Sequence, residues 1–171
     1  MKKALVLLCL AAGLAAPARA VELTPLQLGF WGPRLQVFPE ETRVMGLRLN
    51  VLASDNQEVT GLDVGVVGRA ARMSAIQVNL ANFVDDEFAG LSAGLFSQMG
   101  SVAGLQAGLF NTVVHDLAGF QVGLFNAADD VSGLQIGILN RTMSLRGVQI
   151  GLVNLNAGGP VTFFPFLNAA F

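Results

Sequence analysis

Gly104–Asn111 reads GLQAGLFN, Gly119–Asn126 reads GFQVGLFN, Gly133–Asn140 reads GLQIGILN and Gly147–Asn154 reads GVQIGLVN. Four near-copies of one octet, 14 or 15 residues apart, are an internal repeat. Working outward, copies begin at Gly46, Gly61, Ala75, Gly90, Gly104, Gly119, Gly133, Gly147 and Val161. The last is recognisable through Pro165-Phe166-Leu167-Asn168, which aligns with Gly151–Asn154. Upstream, Pro25–Gly32 (PLQLGFWG) is a degenerate first copy, and Pro33, Pro39 and the pair Glu40, Glu41 mark an irregular connection.

With the leading Gly as position zero, positions +1, +3 and +5 are apolar, as in Leu134, Ile136 and Ile138. The other set, −2, 0, +2, +4 and +6, reads apolar, Gly, Gln, Gly, apolar, as in Val131, Gly133, Gln135, Gly137 and Leu139. Position +7 is usually Asn. Alternation over ten positions predicts a strand, because a 3.6-residue period would scramble both faces. The spacings mostly alternate 15, 14, 15, 14, and two unlike hairpin turns would produce that rhythm. Pairing Gln121 antiparallel to Gln135 places Phe125 opposite Val131 and closes a short loop at Ala127–Asp129. Pairing Gln106 with Gln121 closes one at Thr112–His115.

About ten strands of roughly ten residues suit an antiparallel up-and-down β-barrel crossing a bilayer. Its Leu, Ile and Val face would meet membrane lipid, and its Gly-Gln-Gly face would fill a narrow interior with little open lumen. The chain ends in an alternating segment closed by Phe171, which looks like the signal read by the outer-membrane assembly machinery. The alternative is a β-solenoid with one copy per coil. Asn111, Asn126, Asn140 and Asn154 would then form an internal ladder, but the coil would be very short. The +6 column (Phe96, Phe110, Phe125, Leu139, Val153) would also point outward.

The start of the chain reads as a signal peptide over residues 1–20. Lys2 and Lys3 precede an apolar run, Ala4–Ala16, and Ala18-Arg19-Ala20 offers a cleavage site. Residues 21–45 then hold the degenerate copy and lead-in, and 46–171 the repeat domain. Cleavage would remove the sole cysteine, Cys9, and leave seven arginines against 12 acids, a net charge of about −5. Such a chain has no disulfide framework and is a poor match for nucleic acid.

Chemistry-bearing residues are sparse. His115, the one histidine, falls in a predicted turn beside Asp116, and no Ser–His–Asp set is evident. Asp85, Asp86, Glu87, Asp129 and Asp130 lie between octets, where solvated turn residues are expected rather than a calcium site. The Gln column (Gln77, Gln106, Gln121, Gln135, Gln149) reads as a side-chain amide ladder before it reads as a pore lining. No catalytic residue, cofactor or metal ligand is assigned, and an enzyme is not expected.

The octets resemble those of the bacterial surface repeat-containing proteins, exported chains with tandem G-x-Q-x-G-L-x-N units. Val37-Phe38-Pro39-Glu40-Glu41 with Gly46-Leu47-Arg48-Leu49-Asn50 resembles that family's lead-in, and Pro165-Phe166-Leu167-Asn168 its close. The chain departs from the pattern at Ala75–Asn82 (AIQVNLAN) and Gly90–Ser97 (GLSAGLFS). The resemblance implies an outer-membrane or cell-surface location and brings no activity with it. The expectation is a non-enzymatic outer-membrane or surface protein with a structural or interaction role. The alternative is a secreted β-solenoid acting as an adhesin or binding module, its ligand unknown.

Overall fold

In the computed structural model, which describes residues 23–171, successive octets run in the same direction. The strands are β1 (Leu23–Gly29), β2 (Arg43–Ala93), β3 (Phe96–Ala107), β4 (Phe110–Val122), β5 (Phe125–Ile136), β6 (Leu139–Asn156) and β7 (Phe163–Ala170). Each pairs with the next in one sheet, and every pairing from β1 to β6 is parallel. Like residues stand in register: Gln121 faces Gln135, Asn126 faces Asn140, and Phe110 faces Phe125. The fold is a β-solenoid of stacked coils. The expected antiparallel barrel of about ten strands is not what forms, and the solenoid alternative is.

The reason lies in the middle of the octet. The chain bends at Gly-Leu or Gly-Ile, positions +4 and +5, as at Gly108-Leu109, Gly123-Leu124 and Gly137-Ile138. Sequence alternation treats +2 and +7 as belonging to opposite faces. The bend slips the phase by one residue, so both point inward. Gln121 and Asn126 are each wholly buried. A Cβ at Gly137 would lie 2.6 Å from Asn126 Nδ2 and 3.0 Å from Asn140 Oδ1, so glycine at +4 leaves room for the asparagine column. At position zero the demand is different. Gly104, Gly119 and Gly133 have φ of 142°, 138° and 150°, and a Cβ there would strike the carbonyl of the preceding coil's glycine.

The interior divides in two. Next to the bend it is amide. Gln121, Gln135 and Gln149 each donate Nε2 to the Oε1 of the preceding glutamine, at 2.8, 2.7 and 2.8 Å. Asn111, Asn126 and Asn140 each donate Nδ2 to the Oδ1 of the following asparagine, at 2.9, 2.9 and 2.8 Å. The two amide chains therefore run in opposite senses. Away from the bend the interior is apolar, built from position −2 (Val44, Val59, Met73, Phe88, Val102, Leu117, Val131, Leu145) and position +9 (Val84, Met99, Val113, Ala128). The 14/15 rhythm has a simple origin: register shifts between Val84 and Glu87, and between Val113 and Asp116, absorb one extra residue at the far corner.

Both ends are closed. Pro25–Gly32 does supply the first coil: Gln27 is buried, donates to Phe38 O at 2.8 Å and accepts from Phe38 N at 3.0 Å. The lead-in thus folds over the first coil. At the other end the ninth copy departs from the expected alignment. A turn through Ala157–Pro160 reverses the chain, and β7 pairs antiparallel to β6 with Asn168 opposite Gln149. Asn168 Nδ2 donates to Gln149 Oε1 at 2.8 Å and terminates the glutamine chain. Phe171 lies just past β7, fully exposed. The segment expected to be a signal peptide lies outside the described residues.

Between Ala75 and Asn154 the ladders break in one coil, Gly90–Ser97, where Ser92 replaces Gln and Ser97 replaces Asn. Gln77 Oε1, Ser92 Oγ and Asn111 Oδ1 are buried there without a partner. The double substitution Ser92→Gln with Ser97→Asn would rejoin both chains. At about 1 kcal/mol per net hydrogen bond, it is expected to raise the thermal midpoint by about 3–6 °C in calorimetry. An unchanged or lowered midpoint would show that the ladders do not act as continuous units.

Candidate interaction surface

Because the bend turns +5 and +6 outward together, four outward columns are apolar: +1, +3, +5 and +6. Through the eight copies from Gly46 to Val153, none of the four columns contains a polar or charged residue. Many of these side chains are exposed, among them Leu80 (53%), Phe96 (51%), Phe120 (51%) and Leu152 (58%). Scattered exposed leucines are ordinary, but a continuous stripe of this length is not. The stripe wraps the bend along the length of the solenoid. The rings of Phe96, Phe110 and Phe125 stack along one flank with centroids 5.1 Å apart. At the crest, above the +4 glycines, runs a shallow trough of about 630 Å³ lined by Leu109, Leu124 and Ile138, with Phe166 at its end.

At three successive bends the backbone donors under the stripe are satisfied. Leu124 N and Phe125 N donate to Leu109 O at 3.0 and 2.9 Å, and Ile138 N and Leu139 N to Leu124 O at 2.9 Å. Gly108 N and Gly123 N donate to Val122 O and Ile136 O, which also accept from Asn111 Nδ2 and Asn126 Nδ2. A chain reversal usually needs water for its N–H groups. Here the neighbouring coil replaces it.

The charged residues gather elsewhere. At the corner opposite the bend, −3 carries Glu58, Glu87, Asp116 and Asp130 together with Arg43 and Arg72, and +10 carries Asp85 and Asp129. Arg43 pairs with Glu58 at 3.1 Å. Asp85 pairs with Arg69 at 3.0 Å. Among the described residues no three His, Cys, Asp or Glu side chains gather to hold a metal. His115 is exposed at the corner that carries the extra residue, followed by exposed Asp116. The Gln column is buried within the ladder and lines no lumen.

Among the described residues, one charged cluster lies inside. Arg48 and Asp63 are both fully buried at +2 of adjacent copies, where later copies carry Gln. Arg48 Nε and Nη2 donate to the Asp63 carboxylate at 2.7 and 3.0 Å, and Nη1 donates to Arg69 O at 2.7 Å. Asn50, Gln77 and Asn79 donate to the same carboxylate. Burial pushes the Asp63 pKa up, but the hydrogen bond and charge of Arg48, helped by Asn79 and Asn50, outweigh it and hold the group below its ordinary value. A pair this enclosed reaches no substrate, so its role is structural. Opposite charges at the same repeat position are its sequence signal, because +2 faces +2 in parallel and antiparallel pairing alike.

Comparison with protein-family models, with curated proteins and with solved structures finds no match.

A depressed carboxyl pKa stabilises the fold above the unfolded-state value and loses that contribution as pH falls through the folded value. Stability should therefore decline below about pH 4, and Asp63→Asn should flatten that decline. Arg48→Met strands a buried carboxylate and should cost about 3–5 kcal/mol in denaturant unfolding at pH 7. Arg48→Gln with Asp63→Gln continues the amide ladder and should be far milder. Equal losses from the last two variants would contradict this reading.

Proposed function

We propose that this chain is an exported, non-enzymatic surface module in which the solenoid is a rigid scaffold and the apolar stripe is the working surface. The observation that carries the reading is the inversion across the bend. Amides fill the inside, where a core is normally apolar, while four uninterrupted apolar columns face out. Folding alone would be served as well by polar side chains at those outward positions, so their composition fits a surface used for contact. The sparse chemistry agrees: the sole histidine is in an exposed corner, and the buried Arg48–Asp63 pair is sealed by its own hydrogen bonds.

This reading is an interaction module rather than a barrel, with the solenoid standing where an adhesin or binding protein would present its face. The cell-surface or outer-membrane location rests on the resemblance of the octets and on the leader-like start of the chain. Assembly through a C-terminal strand ending at Phe171 has less to support it, because β7 caps the coil stack.

Expressed as the full chain in a bacterial host, the protein is expected to be retained with the cell envelope. The crest variant Leu109→Glu/Leu124→Glu/Ile138→Glu, if its circular dichroism is unchanged, should move mostly to the soluble exported fraction. Identical fractionation of the folded variant and the parent would remove the stripe from the function.

A further inference from the structure

We propose that the apolar bend seats in the headgroup–acyl boundary of a neutral lipid bilayer, so that the solenoid lies lengthwise on one membrane face. This rests on the stripe being the working surface and names what it contacts.

Three observations favour lipid over a rigid partner. The first is hydrogen bonding. Hydrocarbon cannot satisfy a bare backbone donor, so ordinary loops are excluded from it. At this bend the N–H groups of Gly108–Phe110, Gly123–Phe125 and Gly137–Leu139 are all donated to carbonyls of neighbouring coils. The reversal can lose its water without stranding a donor.

The second is shape. The stripe covers both flanks of a chain reversal, with +1 and +3 on one side and +6 on the other, so its sides slope away from a crest that is itself grooved by the shallow trough. Eight coils at about 4.8 Å give a ridge about 40 Å long. Two such ridges would touch only along their crests, over a band about 10 Å wide. That is about 400 Å² per copy, half of what a standard interface contributes. Acyl chains conform to a ridge and cover its flanks as well.

The third is charge. The carboxylates at −3 and +10 stand on the corner opposite the bend, as far from the stripe as the coil allows. The columns bordering the stripe are mostly uncharged. At −1 they include Thr60, Ser74, Ala89, Ala103, Ala118 and Ser132, with Arg146 the one charge; at +8, Arg69 and Arg141 are the charged members. The chain therefore has an apolar edge for lipid and a charged, net acidic edge for water, where Arg43 and Arg72 stand among the carboxylates. With no lysine after Lys3 and no basic cluster, attraction to anionic headgroups plays no part.

The test is flotation of the purified chain with phosphatidylcholine vesicles, and with vesicles also containing phosphatidylglycerol. The parent should float with pure phosphatidylcholine, independently of salt. The crest variant Leu109→Glu/Leu124→Glu/Ile138→Glu, folded by circular dichroism, should lose at least about ten-fold in partitioning. Met143→Glu makes the same kind of change at the acidic edge, on a side chain 45% exposed, and should float like the parent. A folded parent that stays in the bottom fraction overturns the proposal. So does flotation that requires anionic lipid or survives in the crest variant. A lipid-free dimer in light scattering that the crest variant disperses would assign the bend to a second copy instead. Envelope retention that depends on the crest without vesicle flotation would leave the working surface intact and sink only its lipid partner.

Discussion

The structure depends on stacking identical amides in parallel register. A buried glutamine or asparagine must satisfy donors and acceptors together, and a copy of itself one coil away does both. That requirement fixes the coil-to-coil register at two positions, +2 and +7, on either side of the bend. A slip of one residue would bury the outward apolar columns and expose the amides, stranding donors throughout the stack. The glycines follow from the same demand. The +4 glycine gives the asparagine its space, and the zero glycine lets backbones approach where a Cβ would meet a carbonyl.

Around this spine the coil is asymmetric. At the bend the wall has amide inside and apolar side chains outside. At the far corner it has valine, leucine and methionine inside and carboxylates outside. Only the far half resembles an ordinary domain in cross-section. The bend half is inverted, and its polar interior is what allows its exterior to be greasy. Asn111 and Asn126 reach from inside to carbonyls at the bend, so no water is needed from without. The ends differ from the middle because they have only one neighbour. Gln27 turns to the lead-in backbone, and Asn168 on the reversed β7 takes the last glutamine oxygen.

Much of this was legible in the sequence. The repeat starts from Gly46 to Gly147, the strand character, the inward placement of −2 and +2, and the degenerate first coil at Pro25–Gly32 hold, whereas the copy at Val161 does not, because the chain reverses before it. Strand direction was not legible, because Gln121 lies opposite Gln135 in the antiparallel reading and in the parallel structure alike. The hairpin reading diverges only away from that pair, where Phe125 meets Leu139 and not Val131. The two features that weighed against a solenoid, a very short coil and an outward +6 column, are both real. They are reconciled by the Gly-Leu bend, whose phase slip an alternating pattern does not reveal. The alternating 14/15 spacing pointed to two turn types and proved to be a one-residue bulge at the acidic corner. Arg48 and Asp63 both occupy +2 and lie opposite each other in either direction of pairing, so this pair was legible in the sequence, but the octet pattern, built on Gln at +2, drew no attention to two copies that lack it.

The direction of stacking is the claim on which the rest stands, and a cysteine pair tests it directly. Thr112 and Ala127 are ladder partners on neighbouring coils, so their Cα atoms lie about 5 Å apart, within reach of a disulfide. In antiparallel hairpins the same residues would sit at opposite ends of a strand, about 30 Å apart. Oxidation of Thr112→Cys/Ala127→Cys is predicted to give a rapid, near-complete intramolecular disulfide on a non-reducing gel, with native circular dichroism retained. A folded double variant whose two thiols both remain free would contradict the solenoid and the surface built on it.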